Sequence, residues 1–132
     1  MNYGIQLYSV RDLAQNNLSE AVRQMAELGY SSVEFAGFFG HNPDEINEML
    51  HKNGIEVSST HSSFDDLVNN YNETVAFHKA IGNRLYILPG VDLSSQEKLD
   101  DFVKKANEIS KRLAQDGITL AYHNHAHEFA LN

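Results

Sequence analysis

The sequence predicts an α/β fold in which short parallel strands alternate with amphipathic helices. Three observations support this fold class. Helix start signals recur four times, a glycine closes each helical segment, and a run of β-forming residues follows each glycine. Strands and helices that alternate in this way form right-handed crossovers within a parallel sheet.

The helix starts share one spacing, in which an Asn or Ser precedes a glutamate by three residues. This spacing lets the cap side chain bind the helix backbone while the glutamate reaches back to the cap. A glycine then supplies the left-handed residue that ends each helix. The start pairs are Asn17 with Glu20, Asn42 with Glu45, Asn70 with Glu73 and Ser94 with Glu97, and the closing glycines are Gly29, Gly54, Gly82 and Gly117.

Apolar residues recur at helical spacing between these boundaries. The pattern is clearest in the last helix, where Leu99, Phe102 and Ile109 share one face. Each helix therefore has one face to bury against a sheet. The strands are predicted at 5–10, 32–36, 56–60, 85–88 and 119–122.

Composition and charge restrict the class of protein. At 132 residues and 42% hydrophobic content, the sequence predicts one soluble domain over 1–132. It has no apolar stretch of roughly 20 residues and no signal-peptide pattern, so we expect a cytoplasmic protein without a membrane partner. A net charge of −8 disfavours nucleic acid as a partner, because such binding depends on Lys and Arg. Since cysteine is absent, any metal must be bound through nitrogen and oxygen ligands.

Two parallel folds fit five strands of this length. In a flavodoxin-like open sheet the strand order is 2-1-3-4-5, and the central strands are continuous apolar runs. Here polar residues such as Gln6, Glu34 and Ser59 interrupt the strands, which suits the lumen of a barrel with strand order 1-2-3-4-5. The sequence therefore favours half of a TIM barrel. A non-catalytic flavodoxin-like binding or interaction module is the alternative.

A complete TIM barrel has eight β/α units and about 250 residues, roughly twice what this sequence supplies. Half of a barrel leaves the outer edges of its first and fifth strands unpaired. We therefore expect either a missing C-terminal half or association with a second copy in a homo-oligomer.

Polar residues collect at the carboxyl ends of the predicted strands, where ligands bind in parallel α/β folds. Glu34 lies between apolar neighbours, so it needs a partner or a raised pKa and is a candidate acid or base. Pairing with Arg11 is the structural alternative for this residue. The residues at these ends are Gln6, Tyr8 and Arg11 of strand one, Glu34 of strand two, His61 of strand three, and His123 and His125 of strand five.

Three alternating histidines follow the fifth strand. If the strand continues through His123, His125 and His127, their imidazoles share one face. Imidazole binds divalent metals and titrates near neutral pH, so His123 and His125 are candidates for one metal ligand and one acid, base or substrate-binding group. An adventitious metal site and a solvated tail are the alternatives. His78 is predicted on a helix surface and is assigned no role.

Several segments together resemble the sugar phosphate isomerase/epimerase family of xylose-isomerase-like TIM barrels. The resemblance runs from end to end of the chain. The segments are 4–11 (GIQLYSVR), 28–30 (LGY) with 33–35 (VEF), 59–61 (STH), and 117–125 (GITLAYHNH) with Glu128 and Phe129.

The resemblance implies a metal-dependent isomerase or epimerase that acts on a sugar or sugar phosphate in carbohydrate metabolism. A divalent cation (Mn, Mg, Zn or Co) would hold adjacent sugar oxygens and stabilise the enediolate formed when a base removes a proton. Related lyase or hydratase chemistry on keto-sugars is also implied.

The resemblance also implies roles for individual residues. Many relatives place a glutamate metal ligand at the end of strand five, where this chain has His123. We therefore predict His123 as a metal ligand, with the remaining ligands outside this chain and the chain alone inactive. The predicted catalytic residues are Glu34 and His125, and the predicted substrate-binding residues are Gln6, Tyr8 and His61.

Overall fold

The computed structural model describes residues 2–129, within which five parallel strands alternate with helices. The strands are β1 (Gly4–Gln6), β2 (Ser32–Phe35), β3 (Glu56–His61), β4 (Leu85–Leu88) and β5 (Thr119–Tyr122). The helices are α1 (Arg11–Asn16), α2 (Leu18–Glu27), α3 (Pro43–Asn53), α4 (Phe64–Asn69), α5 (Tyr71–Ala80) and α6 (Gln96–Gln115), with 3₁₀ helices at Leu7–Val10 and Ala126–Phe129. The strand order is β1-β2-β3-β4-β5, which confirms the half-barrel prediction over the flavodoxin-like alternative.

Most helix boundaries follow the predicted signals. Asn17 starts α2 and accepts a hydrogen bond from the backbone N–H of Glu20 at 3.0 Å. Asn42 and Glu45 form a complete capping box at the start of α3. The four predicted closing glycines all adopt positive φ angles, between 60° and 92°. Local sequence signals therefore account for these ends.

Two helix starts differ from the prediction. The cap of α6 is Ser95 rather than Ser94, because the Ser95 hydroxyl accepts the hydrogen bond from the Lys98 N–H at 3.2 Å. Asn70 precedes α5 without making a side-chain cap hydrogen bond. It also ends the short helix α4, which Ser63 caps, so its backbone serves two helices at once.

Strand β1 is shorter than predicted. It ends at Gln6, and Leu7–Val10 turn into a 3₁₀ helix that leads into α1. This turn places Leu7 in the core, where it is 2% exposed. Tyr8 therefore lies on the helical turn and not on the strand.

The last long helix, α6, shows how the helices cover the sheet. It has 20 residues and buries Ile109 and Leu113, while Lys104 and Lys105 on its other side are exposed. No helix within residues 2–129 is both long enough and apolar enough to cross a membrane.

The helices pack on the outer face of the sheet in two apolar clusters. The cluster beneath α1, α2 and α3 includes Leu7, Leu18, Val22, Val33, Phe35 and Ile46. The cluster beneath α4, α5 and α6 includes Leu67, Tyr86, Leu88, Ile109 and Leu113. Because side chains alternate along a strand, the residues between the buried ones point to the inner face. That face carries most of the polar residues of β1, β2 and β3.

His78 is buried in a polar network, so its predicted position on a helix surface is wrong. Its side chain is 3% exposed, and its Nδ1 lies 3.0 Å from the Asn83 amide nitrogen and 3.3 Å from the Thr60 hydroxyl. Asn83 also donates to the Thr60 hydroxyl at 3.1 Å. Burial lowers the pKa of His78 to about 4, because desolvation penalises the imidazolium.

The low pKa of His78 predicts that stability falls as the pH drops from about 6.5 to about 4. In this range the unfolded chain binds a proton at this imidazole and the folded chain does not. The free energy of unfolding falls by roughly 3 kcal/mol between pH 6.5 and pH 4, since each pH unit between the two pKa values contributes about 1.4 kcal/mol. Urea denaturation of the wild type and of His78→Gln across this range measures it. We expect a steeper pH dependence in the wild type; parallel profiles would contradict the prediction.

Candidate active site

A hydrogen-bonded cluster centred on Glu34 occupies the inner face of the sheet. Val33 and Phe35 are fully buried beneath the helices, so Glu34 between them points inward. The register places Gln6 and Ser59 opposite Glu34 on the neighbouring strands. Gln6 Nε2 donates to Glu34 Oε1 at 2.5 Å, and the Ser59 hydroxyl donates to Glu34 Oε2.

An irregularity in the β2–β3 pairing brings Ser59 to this position. Val33 pairs with Val57 and Glu34 pairs with Ser59, so Ser58 is skipped. An extra residue of this kind re-aims the side chains that follow it. As a result Ser59 faces inward, and so does His61 two residues later.

His61 completes the cluster at the end of β3. Its Nε2 lies 3.2 Å from Glu34 Oε1, and Gln6 Nε2 lies 3.2 Å from its Nε2 and 3.3 Å from its Nδ1. A neutral imidazole protonated at Nε2 donates to Glu34 and can accept from Gln6 at Nδ1. Glu34 therefore has the partners it needs, and the alternative pairing with Arg11 is not observed. Arg11 instead donates to the Tyr8 carbonyl and lies 4.9 Å from the centre of the Tyr8 ring.

The pKa of His61 is lowered from its ordinary value near 6.5. Burial is the main cause, because it disfavours the charged ring. The Glu34 carboxylate partly offsets this effect, while His123 and His125 add to it. His61 is therefore neutral at neutral pH and able to accept a proton.

Two further histidines extend the cluster from β5. The centre of the His123 ring lies 4.9 Å from that of His61, and the His125 ring lies 4.8 Å from that of His123. The strand ends at Tyr122, as predicted, so it does not continue through the histidines. The rings meet nonetheless, because the backbone N–H of His123 still donates to Leu88 of β4 at 2.9 Å.

Glu128 holds the turn that carries His125. Its carboxylate accepts hydrogen bonds from the Tyr122 hydroxyl at 2.6 Å and from the His125 backbone N–H at 2.5 Å. Burial and the Glu128 carboxylate raise the pKa of Tyr122 to about 12, so this hydroxyl stays protonated as a donor. The side chain of His127 lies outside the described part of the structure.

A cavity of about 460 Å³ opens at the carboxyl ends of the strands. This volume is within the range of small-molecule sites. The lining residues are Gln6, Tyr8, Ala36, Gly37, His61, Pro89, His123 and His125. The structure thus gathers the predicted site residues around one cavity. Gln6 and His61 form part of the cavity wall, and Glu34 contacts both of them. Tyr8, which is 57% exposed, lies at the rim of the cavity.

Ser59 is a site residue that the sequence pattern could have indicated. It lies two residues before His61 and therefore on the same face of the strand. Ala36 and Gly37 directly follow β2, and Pro89 directly follows β4, so the convergence of strand ends places them near the site. They carry no reactive side chain, and no role is predicted for them.

The described residues do not form a complete metal site. Among the side chains that the structure describes, which exclude that of His127, no group of three or more His, Asp or Glu is arranged to hold a metal ion. His123, the predicted ligand, is flanked by the rings of His61 and His125. Additional ligands from outside the described residues would be needed around it.

Comparison with known families decides the family. Residues 22–131 match the family model described as xylose isomerase-like TIM barrel. The chain belongs to the xylose isomerase-like TIM barrel family. No curated protein matches the sequence.

Solved structures of similar fold include other xylose isomerase-like TIM barrels. A sugar phosphate isomerase/epimerase from Parabacteroides distasonis is 20% identical, with a TM-score of 0.74 over 98% of this chain and 53% of that one. A xylose isomerase domain containing protein from Salmonella typhimurium is 16% identical, with a TM-score of 0.70 over 90% of this chain and 47% of that one. An AP endonuclease, family 2, from Brucella melitensis is 18% identical, with a TM-score of 0.69 over 92% and 55%.

At these identities the likeness to solved structures establishes the fold only. This xylose isomerase-like chain spans about half the length of the solved structures it matches. The roles of Gln6, Tyr8, Glu34, His61, His123 and His125 therefore stay predictions from the chemistry of the site.

We expect Glu34→Gln to lower the pKa of His61 further, because it removes the negative charge that favours the imidazolium. His123→Gln should raise the same pKa, because it removes a like-charged neighbour. Titration of the His61 Hε1 resonance by NMR measures both shifts. Glu56→Gln, an exposed carboxylate at the opposite end of β3, is the matched control. An unchanged pKa in Glu34→Gln would show that these two groups do not interact.

Proposed function

We propose that this chain supplies the N-terminal half of the active site of a metal-dependent sugar or sugar phosphate isomerase or epimerase. The observation that carries the proposal is the contact of Glu34 with His61, beside His123 and His125, at a cavity on the strand ends. A carboxylate and a neutral imidazole are the side chains that transfer protons near neutral pH. The family of the chain supports the same chemistry.

In the proposed reaction Glu34 removes a proton from the carbon next to the sugar carbonyl. Hydrogen bonds from Gln6 and Ser59 hold its carboxylate in one orientation, so little ordering is needed when the sugar binds. His61 donates to the same carboxylate and, with Gln6 and Tyr8, contacts the sugar hydroxyls. A protonated His125 gives a proton to the intermediate, and after the product leaves, Glu34 releases its proton to water and His125 takes one up. Protonation of the former carbonyl carbon, with the hydroxyl proton of the neighbouring carbon passing to the former carbonyl oxygen, gives isomerisation. Protonation of the original carbon on its opposite face gives epimerisation.

We propose a divalent cation, Mn, Mg, Zn or Co, as the cofactor of the complete enzyme. When bound, such a cation polarises the sugar oxygens and stabilises negative charge on them. His123 is the proposed ligand from this chain, and the other ligands come from outside residues 2–129. The partner that supplies them is either a C-terminal half or a second copy. The inactivity of the chain alone and its cytoplasmic location stay predictions from the sequence.

A nucleic-acid substrate is the competing function, since one relative of similar fold is named an AP endonuclease. The net charge of −8 disfavours it, because phosphate backbones are bound through Lys and Arg. The residues that line the active-site cavity include neither Lys nor Arg within the described part of the chain. A neutral polyhydroxyl compound suits these groups better.

Sugar binding tests the proposal directly. We expect D-fructose, D-xylose and their phosphates to shift the imidazole NMR signals of His61 and His123 saturably. Glu34→Gln should weaken this binding roughly tenfold, because Gln6 and His61, which contact the sugar, lose the charged acceptor that orients them. Glu56→Gln should bind as the wild type does. Sugars that leave all imidazole signals unchanged, or an affinity that Glu34→Gln does not alter, would refute the proposal.

Binding of Mn²⁺ tests the proposed ligand. We expect His123→Ala to weaken Mn²⁺ binding at least roughly tenfold, as measured by the EPR signal of free Mn²⁺. His41→Ala is the control, since His41 lies in the loop before α3, outside the site. Equal Mn²⁺ affinity in His123→Ala and the wild type would remove His123 from the metal site.

A further inference from the structure

We propose that the substrate is larger than one sugar, and that a second, uncharged sugar ring binds in a groove beside the active-site cavity. This inference rests on the proposed function and adds the class of substrate to it. The groove has a volume of about 440 Å³ and lies between the loop after β2 and helices α4 and α5. It is within the range of sites that hold a small molecule.

The groove is continuous with the active-site cavity. Gly37 and His61 line both of them. A sugar placed against His61 in the cavity can therefore extend past this residue into the groove. The reacting ring and a second ring would lie on the two sides of His61.

One wall of the groove is aromatic and held in place from behind. The rings of Phe38 and Phe77 have centroids 4.6 Å apart and are tilted by 52°. Phe38 also packs on the buried Phe35 at 5.3 Å and on His78 at 5.8 Å. Both phenylalanines are half-buried, so part of each ring remains open to a ligand. Such a wall suits the apolar C–H face of a pyranose ring.

The loop that joins the two cavities has an unusual backbone. Gly37 has a φ of 116°, and Phe39 has a φ of 51°, which is uncommon for a residue other than glycine. A Cβ atom at Gly37 would lie 3.4 Å from the Phe39 ring. Backbone conformations of this kind cluster at ligand sites, where the surrounding structure maintains them. The conformation of this loop therefore places Gly37 between the cavity and the groove.

The opposite side of the groove is polar and acidic. Within residues 2–129 the side chains of Asp66, Asn70 and Glu73 make no hydrogen bond or ion pair with another residue, and all three are exposed. Their carboxylate and amide oxygens are acceptors for hydroxyl groups. None of the described residues that line the groove is Lys or Arg, so a phosphate would meet charge of its own sign. The groove therefore suits an uncharged ring rich in hydroxyl groups.

These features assign the substrate class as a disaccharide or similar glycoside. Its reacting sugar lies against Glu34 and His61, and its second ring packs on Phe38 and Phe77 with its hydroxyls toward Asp66 and Glu73. A phosphate, if the substrate carries one, does not enter the groove.

Binding of sugars to the isotope-labelled chain tests this assignment. The probes are maltose, cellobiose and lactose, compared with glucose, galactose and glucose 6-phosphate. We expect one disaccharide or more to bind about tenfold more tightly than its component sugars, since each tenfold requires only a modest additional contact energy. The disaccharide should shift both the imidazole signals of His61 and His123 and the amide signals of Gly37 and Glu73.

Two variants separate the groove from the cavity. Glu73→Ala and Phe38→Leu should reduce the advantage of the disaccharide to less than about threefold and leave monosaccharide binding unchanged. Glu97→Ala, in the corresponding first turn of α6, is the matched control for Glu73→Ala. Circular dichroism verifies the fold of Phe38→Leu, and Glu73→Ala alters only an exposed side chain.

The outcomes distinguish this inference from the proposed function. Monosaccharides and disaccharides of equal affinity, with shifts in the cavity alone, would overturn the second-ring site and leave the proposed function standing. Disaccharide shifts in the groove alone would overturn the continuous site. Glucose 6-phosphate shifting the groove signals more strongly than glucose would overturn the uncharged class. Sugars that shift no signal of His61 or His123 would overturn the proposed function and this inference together.

Discussion

The Glu34 carboxylate on the inner face of the sheet is the constraint on which the rest of the site depends. Glu34 is partly buried, with its side chain 18% exposed, and a carboxylate withdrawn from water needs hydrogen-bond donors, so its neighbours on β1 and β3 must present them. Gln6, Ser59 and His61 do so, which ties three strand ends together. A slip of one residue in β2 would turn Glu34 into the helix-packed core and Val33 into the lumen. The geometry of the site therefore depends on the register of β2 in the sheet.

Strand β3 is held from both of its faces near this carboxylate. His61 points inward to Glu34, and the preceding residue, Thr60, points outward to Asn83 and His78. Both networks keep an imidazole uncharged through burial, since the pKa of each ring is lowered. None of Thr60, His78 and Asn83 lines the active-site cavity, and only His78 reaches the neighbouring groove, so we regard this outer network as structural. It keeps the end of β3 in place and thereby maintains the position of His61.

The alternation of polar and apolar residues was enough to predict the half-barrel and the residues that meet inside it. Glu34 and His61 lie at predicted strand ends, and parallel strands bring such ends together. The pattern failed for His78, because its partner Thr60 is 18 residues away in sequence and the burial arises only when α5 packs on β3. The predicted end of the fifth strand at Tyr122 is confirmed, and the histidines that follow it lie in a turn held by Glu128. A contact between distant residues, which no local pattern records, accounts for the error at His78.

The fold alone does not determine what this site binds, since relatives of the same architecture carry different names at 16% to 20% identity. Charge and shape of the site are more informative. Glu34 and its hydrogen-bond partners lie on β1 to β3, His123 and His125 follow β5, and the described lining of both the cavity and the groove lacks a cationic Lys or Arg. The substrate that we propose would therefore be held by hydrogen bonds and by apolar contact with Phe38 and Phe77. An anionic group on it would meet no Lys or Arg in this lining, so we propose that such a group is recognised elsewhere, as we propose for the remaining metal ligands.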